Sequence, residues 1–167
     1  MARSTDGIKP QRYGVSPETT RRELRLCGYA LLTHYLTMHQ IIAEHVRLQP
    51  VELLILISLT TGNVQRAIRA KSLSEPLRGN GPLPPEMIVP LSRRAIARVT
   101  GLPTETVRRH VESMVERGIL VATPKGVVAP NRLDEPWAAA AALRLVDSHV
   151  SCTERLLALG VVAPVSP

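Results

Sequence analysis

Residues 92–118 read SRRAIARVTGLPTETVRRHVESMVERG, and their spacing narrows the fold more than any other stretch of the chain. Ser92 is placed to cap a short helix whose expected inward positions are Ile96, Ala97 and Val99. Gly101 ends that helix, because a residue at ease with positive φ lets the chain turn tightly. Leu102 plugs the turn, and Thr104 caps a second helix with Val107, Val111, Met114 and Val115 facing inward. The small residue Ala97 falls where the two helices would cross. Two short helices joined through a glycine turn make a helix-turn-helix.

Beyond Gly118, two β-rich runs at 119–123 and 127–130 flank Pro124, Lys125 and Gly126. Pro at the second and Gly at the fourth position of a turn over 123–126 suit type I geometry, so the segment reads as a hairpin. Helix, turn, helix, hairpin is the order of a winged helix. The expected fold is therefore mainly α: a winged helix-turn-helix with a small β-hairpin wing, flanked by long N- and C-terminal helices.

The flanks divide by composition. Residues 1–15 carry Gly7, Pro10 and Gly14 with Arg3, Lys9 and Arg12, and read as a mobile basic tail. Ser16, Pro17 and Glu18 look like a helix start. Leu24, Leu31, Tyr35, Met38, Ile42 and His45 then recur on one stripe of a long amphipathic helix ending near Pro50. A second helix is expected from Pro50 to about Lys71, apolar nearly all round in its first half and so buried on most sides. Together 16–71 form a helical region that supplies both dimerisation and the first helix of the winged unit.

Residues 72–90 hold five prolines and two glycines and read as a loop, closed by a short extended piece at Met87, Ile88 and Val89. The segment 91–131 is the helix-turn-helix and wing. Residues 132–167 are a C-terminal helix for dimerisation, with the run from Trp137 to Ala142, then Leu145, Val146, His149, Val150, Leu156 and Leu157, ended by Gly160 and Pro164.

Composition removes competing classes. Phe is absent and Trp137, Tyr13, Tyr29 and Tyr35 are the only aromatics, which argues against an aromatic-rich β-sandwich and against stacking platforms for single-stranded nucleic acid. Two cysteines, Cys27 and Cys152, exclude a disulfide-dense scaffold. The longest apolar stretch, 51–59, is interrupted by Glu52 and Ser58 and falls short of the roughly 20 residues a spanning helix needs. With no apolar leader at the N-terminus, the expectation is a soluble, cytoplasmic protein in a reducing compartment with no membrane partner.

The net charge of +7 suggests a polyanionic partner. Its distribution is sharper: residues 92–126 hold seven basic and three acidic side chains, +4, whereas 127–167 hold three basic and four acidic, −1.

The 92–120 segment resembles the winged helix-turn-helix of bacterial transcription regulators, and is most similar to the DNA-binding part of the catabolite-activator type. Ser92, Ile96, Gly101, Glu105, Thr106 and Val107 match that type's register, and Gly118 precedes the wing as that type requires. No cyclic-nucleotide β-roll precedes it. The flanking long helices are similar instead to the dimerisation helices of multiple-antibiotic-resistance-repressor-type proteins.

A helix-turn-helix reads DNA because its second helix fits the major groove, where base pairs show distinct donor and acceptor patterns. At 100° per residue, inward Val107 and Val111 turn Glu105, Thr106 and Arg109 outward, with Arg108 at the flank. Arg109 and Glu105 are assigned to base edges, suiting guanine and cytosine N4 respectively. Thr104 and Thr106 lie near the helix start for phosphate or base, and Arg108 for phosphate. Ser92, Arg93 and Arg94 open the first helix, where free N–H groups attract phosphate, and Lys125 sits at the wing tip.

The expected function is a sequence-specific double-stranded DNA-binding transcription regulator. It would act as a homodimer through its terminal helices, with recognition helix 104–117 in the major groove and wing 119–130 on the backbone. The alternative is a winged-helix adaptor that binds a protein partner or RNA.

Other clusters are less specific. His34, His39 and His45 scatter around a helix, while Cys27 with His34 and His149 with Cys152 share faces, so a four-ligand metal site is geometrically conceivable. They are read as ordinary core residues, with no metal and no cofactor assigned. His110 is read as a packing residue at the helix flank. No residue pattern identifies a small-molecule effector. No nucleophile elbow, phosphate loop or paired-carboxylate motif appears, so no enzyme is expected.

Overall fold

The structure is a computed structural model that describes residues 11–69, 77 and 79–165. Most of the expected basic tail and part of the 72–90 loop lie outside the described residues. The described chain is mainly helical, with two small antiparallel sheets of two strands each. It divides into two compact units, Met1–His45 with Ala140–Pro167, and Val46–Ala139. The expected 16–71 region is thus split between units. Among the described residues no helix is long and apolar enough to cross a membrane.

In the first unit, β1 (Tyr13–Val15) leads into α1 (Pro17–Arg22) and α2 (Leu24–His45), and α6 (Ala138–Ala158), which begins two residues before this unit's second segment, leads into β4 (Val162–Pro164). Ser16 caps α1 as its position predicts, its Oγ accepting from Thr19 N at 3.2 Å. The expected unbroken helix is interrupted at Glu23, whose φ of −98° and ψ of 24° leave the helical region. The expected tail also ends too late, because Tyr13–Val15 pairs antiparallel with Val162–Pro164. Gly160, at φ 67°, closes α6 with two bonds that satisfy its last carbonyls: Gly160 N to Leu157 O at 2.9 Å and Val161 N to Leu156 O at 3.1 Å.

The α2 and α6 helices run side by side and antiparallel. Cys152 Sγ donates to Ala30 O, His34 Nδ1 meets Ser148 Oγ, and Arg144 pairs with Glu44, in that order along α2. The face of α2 that is buried carries Cys27, Ala30 and Ile41. The stripe expected to face inward is rotated by about one residue, some 100° on a helix. Leu24, Leu31 and Tyr35 are each more than half exposed.

The second unit is built on α3 (Pro50–Ile68), α4 (Arg93–Thr100), α5 (Thr104–Glu116), β2 (Val121–Thr123) and β3 (Gly126–Val128). A 3-10 turn at Pro85–Met87 precedes α4. Met87 therefore belongs to that turn, and the expected extended piece begins one residue later, with Ile88 at φ −100° and ψ 120°. The core is aliphatic: Ile55 and Leu59 of α3 meet Ile96, Ala97, Val107, Val111, Met114, Leu120 and Val127. The start of α3 is not buried on most sides, since Leu54 and Ile57 are over two-fifths exposed while Glu52 is buried.

β2 and β3 pair antiparallel with Thr123 opposite Gly126, and neither Pro124 nor Lys125 has positive φ, which excludes the primed hairpin turns. Leu91, just before α4, adds a bridge to Val127, with N–H···O bonds of 3.0 and 2.9 Å in the two directions.

Candidate nucleic-acid interface

The second unit presents three groups of polar side chains, at the start of α4, along the outer face of α5 and at the hairpin tip. Ser92 caps α4 as expected, its Oγ accepting from Ala95 N at 3.2 Å. Gly101, at φ 71°, ends α4 in the left-handed conformation. Ile96 and Ala97 are buried, but Val99 is mostly exposed. In a helix of eight residues the inward face is narrow, and Val99 lies over 100° from the midpoint of Ile96 and Ala97.

The start of α5 differs from expectation. Thr104 is its first helical residue, and the cap position belongs to Pro103, which has no side-chain acceptor. The amides of the first turn are therefore left without a side-chain cap from residue 103. Val107, Val111 and Met114 are buried as expected, and Val115 is partly buried against the same core. At the far end, Gly118 at φ 68° bonds Val115 O at 3.0 Å and Ile119 N bonds Met114 O at 2.8 Å. These bonds aim the chain into the hairpin.

The outer face of α5 carries Glu105, Arg109, Glu112 and Glu116, with Arg108 at its flank and Thr104 exposed beside the helix start. Thr106 is half-buried. Arg108 is held within its own helix. Its Nε and Nη2 donate to Glu105 at 2.9 and 2.6 Å, and its Nη1 donates to Glu112 at 2.7 Å. The hydrogen bond from Arg108 holds the Glu105 carboxyl below its ordinary range, and the two carboxylates hold the guanidinium firmly protonated. Both residues assigned to DNA contact here are thus paired to each other. The 105–108–112 spacing, i−3 and i+4, is the sequence signal that marks such a trio. Arg109 is exposed and makes no salt bridge among the described residues.

At the start of α4, Arg94 is exposed and Arg93 is half-buried. The Arg93 Nε is buried without a hydrogen-bond partner, a donor whose desolvation is uncompensated. Lys125 is exposed at the hairpin tip, where its N–H donates to Thr123 Oγ1 at 3.3 Å.

Two buried polar residues of α3 position these elements, and sequence reasoning did not single them out as such. Glu52 accepts from Arg117 Nη2 at 2.6 Å and from Gln49 N at 3.0 Å, with His110 Nδ1 at 3.7 Å. It ties the end of α5 to the start of α3, and gives half-buried His110 a structural place at the helix flank. Burial pushes the Glu52 carboxyl up, but the bonds from Arg117 and the Gln49 N–H outweigh it and hold it below its ordinary range.

Asn63 bonds Val89 O at 2.8 Å through Nδ2 and accepts from Ala129 N at 3.0 Å through Oδ1. It pins both the segment entering α4 and the strand leaving the hairpin to α3.

The four residues Cys27, His34, His149 and Cys152 do not assemble as one metal site. Among the described residues no group of three or more His, Cys, Asp or Glu side chains is arranged to hold an ion. Cys27 and Cys152 are buried free thiols. Compared with known proteins, the chain matches no family model, no curated protein and no solved structure.

Proposed function

We propose that the chain is a sequence-specific, double-stranded DNA-binding transcription regulator that acts as a homodimer. The observation that carries this reading is the outer face of α5. There Arg109 stands exposed and outside any salt bridge among the described residues, on a helix whose far end is tied to α3 through Arg117 and Glu52, in a segment of charge +4. The order of α3, a bridged Leu91, α4, a glycine turn, α5 and a hairpin supports reading this unit as a winged helix-turn-helix. In this reading α5 enters the major groove, Arg109 reads guanine, and Ser92, Arg94 and Lys125 hold phosphates. Arg93 adds a further positive charge at the same end of α4, although its Nε is buried. The protein is a binding protein of the cytoplasm rather than an enzyme.

Dimerisation rests on the first unit. Leu24, Leu31, Leu32 and Tyr35 of α2, with Leu143 and Val146 of α6, are large apolar side chains more than half exposed. An exposed apolar surface of this kind marks an interface, and a two-fold pairing would set two recognition helices about 34 Å apart on a palindromic site.

A second reading, a protein-binding adaptor, is favoured by the Glu105–Arg108–Glu112 trio, which leaves two carboxylates against one guanidinium on the outer face of α5. Selection of binding sites from a random duplex library separates the two. The DNA reading expects a palindrome with half-sites one helical turn apart, and an Arg109→Ala loss of about 1–3 kcal/mol with relaxed preference at one base pair. Recovery of no enriched sequence would sink it.

A further inference from the structure

We propose that His34 and His149 form a binding site for a single borderline divalent transition-metal ion, Zn²⁺ foremost, that ties α2 to α6. The two imidazoles come from positions 115 apart in sequence, yet His34 Nε2 and His149 Nδ1 lie 3.5 Å apart. Two nitrogens on one tetrahedral Zn²⁺, each at about 2.05 Å, stand about 3.3 Å apart. The bare protein therefore holds them close to the bite of the ion. The rings do not stack: their centroids are 5.3 Å apart and their planes are tilted by 57°. His149 is exposed, so a small turn of its ring brings both lone pairs onto a common point.

A second feature prepares the same pair. His34 Nδ1 stands 2.8 Å from Ser148 Oγ. When Nδ1–H donates to that hydroxyl, the Nε2 lone pair is left toward His149, the tautomer a metal ligand requires. Imidazole ligands are commonly oriented through a hydrogen bond on the other ring nitrogen, and that bond raises their basicity. Imidazole also selects the metal class, since Zn²⁺, Cu²⁺ and Ni²⁺ take it while Mg²⁺ and Ca²⁺ prefer oxygen.

No third protein ligand stands close enough among the described residues, so water completes the shell. His34 and Ser148 also line a groove of about 300 Å³ between α2 and α6, but His149 is not part of its lining, so a hydrated ion reaches the pair from the solvent side, where His149 is exposed. Of the charged groups lining the same groove, Arg144 is neutralised by Glu44, while Asp147 and Arg155 contribute one charge of each sign. An ion here staples the two helices of the first unit, and its occupancy stabilises that unit without reference to DNA.

The test is Zn²⁺ binding to the tag-free full chain, by calorimetry and by imidazole ¹⁵N shifts. The expected result is one ion per chain, with coordination shifts at His34 Nε2 and His149 Nδ1 and a rise in melting temperature on adding Zn²⁺. His149→Gln, at an exposed position, should abolish both the binding and the thermal shift. Ser148→Ala should weaken binding by about tenfold or more. His39→Gln, on α2 outside the pair, should change neither. Absence of stoichiometric binding by the wild-type chain, equal binding by His149→Gln, or shifts at other histidines would overturn the proposal.

Discussion

Replacing Asn63 with Leu isolates the worth of a single buried amide, because the two side chains have nearly the same shape. Asn63 is 3% exposed, so the change opens no cavity. It removes two well-formed bonds, Nδ2 to Val89 O at 2.8 Å and Ala129 N to Oδ1 at 3.0 Å, and a longer contact from Nδ2 to Val127 O at 3.4 Å. Each lost bond is worth about 1 kcal/mol net, and each backbone group left unpaired costs about 1–3 kcal/mol more. Added apolar burial offsets part of this, so Asn63→Leu should destabilise the second unit by about 2–4 kcal/mol.

Urea unfolding followed by Trp137 fluorescence and far-UV circular dichroism measures the loss. Asn63→Asp is the companion variant. It keeps an acceptor for Ala129 N but sets a carboxylate against the Val89 carbonyl, so its folded pKa rises. Such a group is disfavoured when charged, and the variant should therefore regain stability as pH falls toward about 4. A loss under about 1 kcal/mol for Asn63→Leu, or an Asn63→Asp variant insensitive to pH, would refute the claim that this amide pins the hairpin.

Two further perturbations probe the same unit. The depressed Glu52 carboxyl contributes stability that is present above its unfolded value of about 4.3 and lost as pH falls through the lower folded value. Glu52→Gln should cost about 1–3 kcal/mol at pH 7, and the gap from wild type should narrow below about pH 4, read as urea midpoints at each pH. Gly126 has φ 143°, and a Cβ there would stand 2.6 Å from Leu91 O, whereas Gly101 at φ 71° has open space around it. Gly126→Ala should therefore cost more than about 2 kcal/mol and Gly101→Ala about 1, compared by thermal unfolding. Equal losses would remove the steric argument.

The contrast between the two units explains what the sequence could disclose. In the second unit the decisive features are local: Ser92 caps its own helix, Gly101 and Gly118 adopt positive φ within a residue or two of where the pattern stops, and Val107, Val111 and Met114 repeat along one helix. Each can be read from a short window. The pins cannot, because Asn63 bonds residues 26 and 66 positions away, and Glu52 joins a residue on another helix. In a sequence window such residues look like interruptions of an apolar run. The trio of Glu105, Arg108 and Glu112 was legible in its spacing, yet spacing alone does not say that an outward Arg is already held.

In α2 the pattern misleads for a different physical reason. The helix has two apolar faces, one of large residues, Leu24, Leu31 and Tyr35, and one of smaller or less regular ones, Cys27, Ala30 and Ile41. Hydrophobicity favours burying the larger face, but close approach of α6 favours the smaller one. The Cys152 thiol reaches the Ala30 carbonyl at 3.6 Å, a contact that needs small side chains between the two backbones. Within one chain the close-packed face prevails, and the larger apolar face is left outward. A periodic stripe thus reports which residues resist water, not which neighbour will cover them. The exposed stripe is the surface that the proposed dimer would cover, while the fold of the first unit rests on the smaller face and on the polar links of His34 with Ser148 and Glu44 with Arg144.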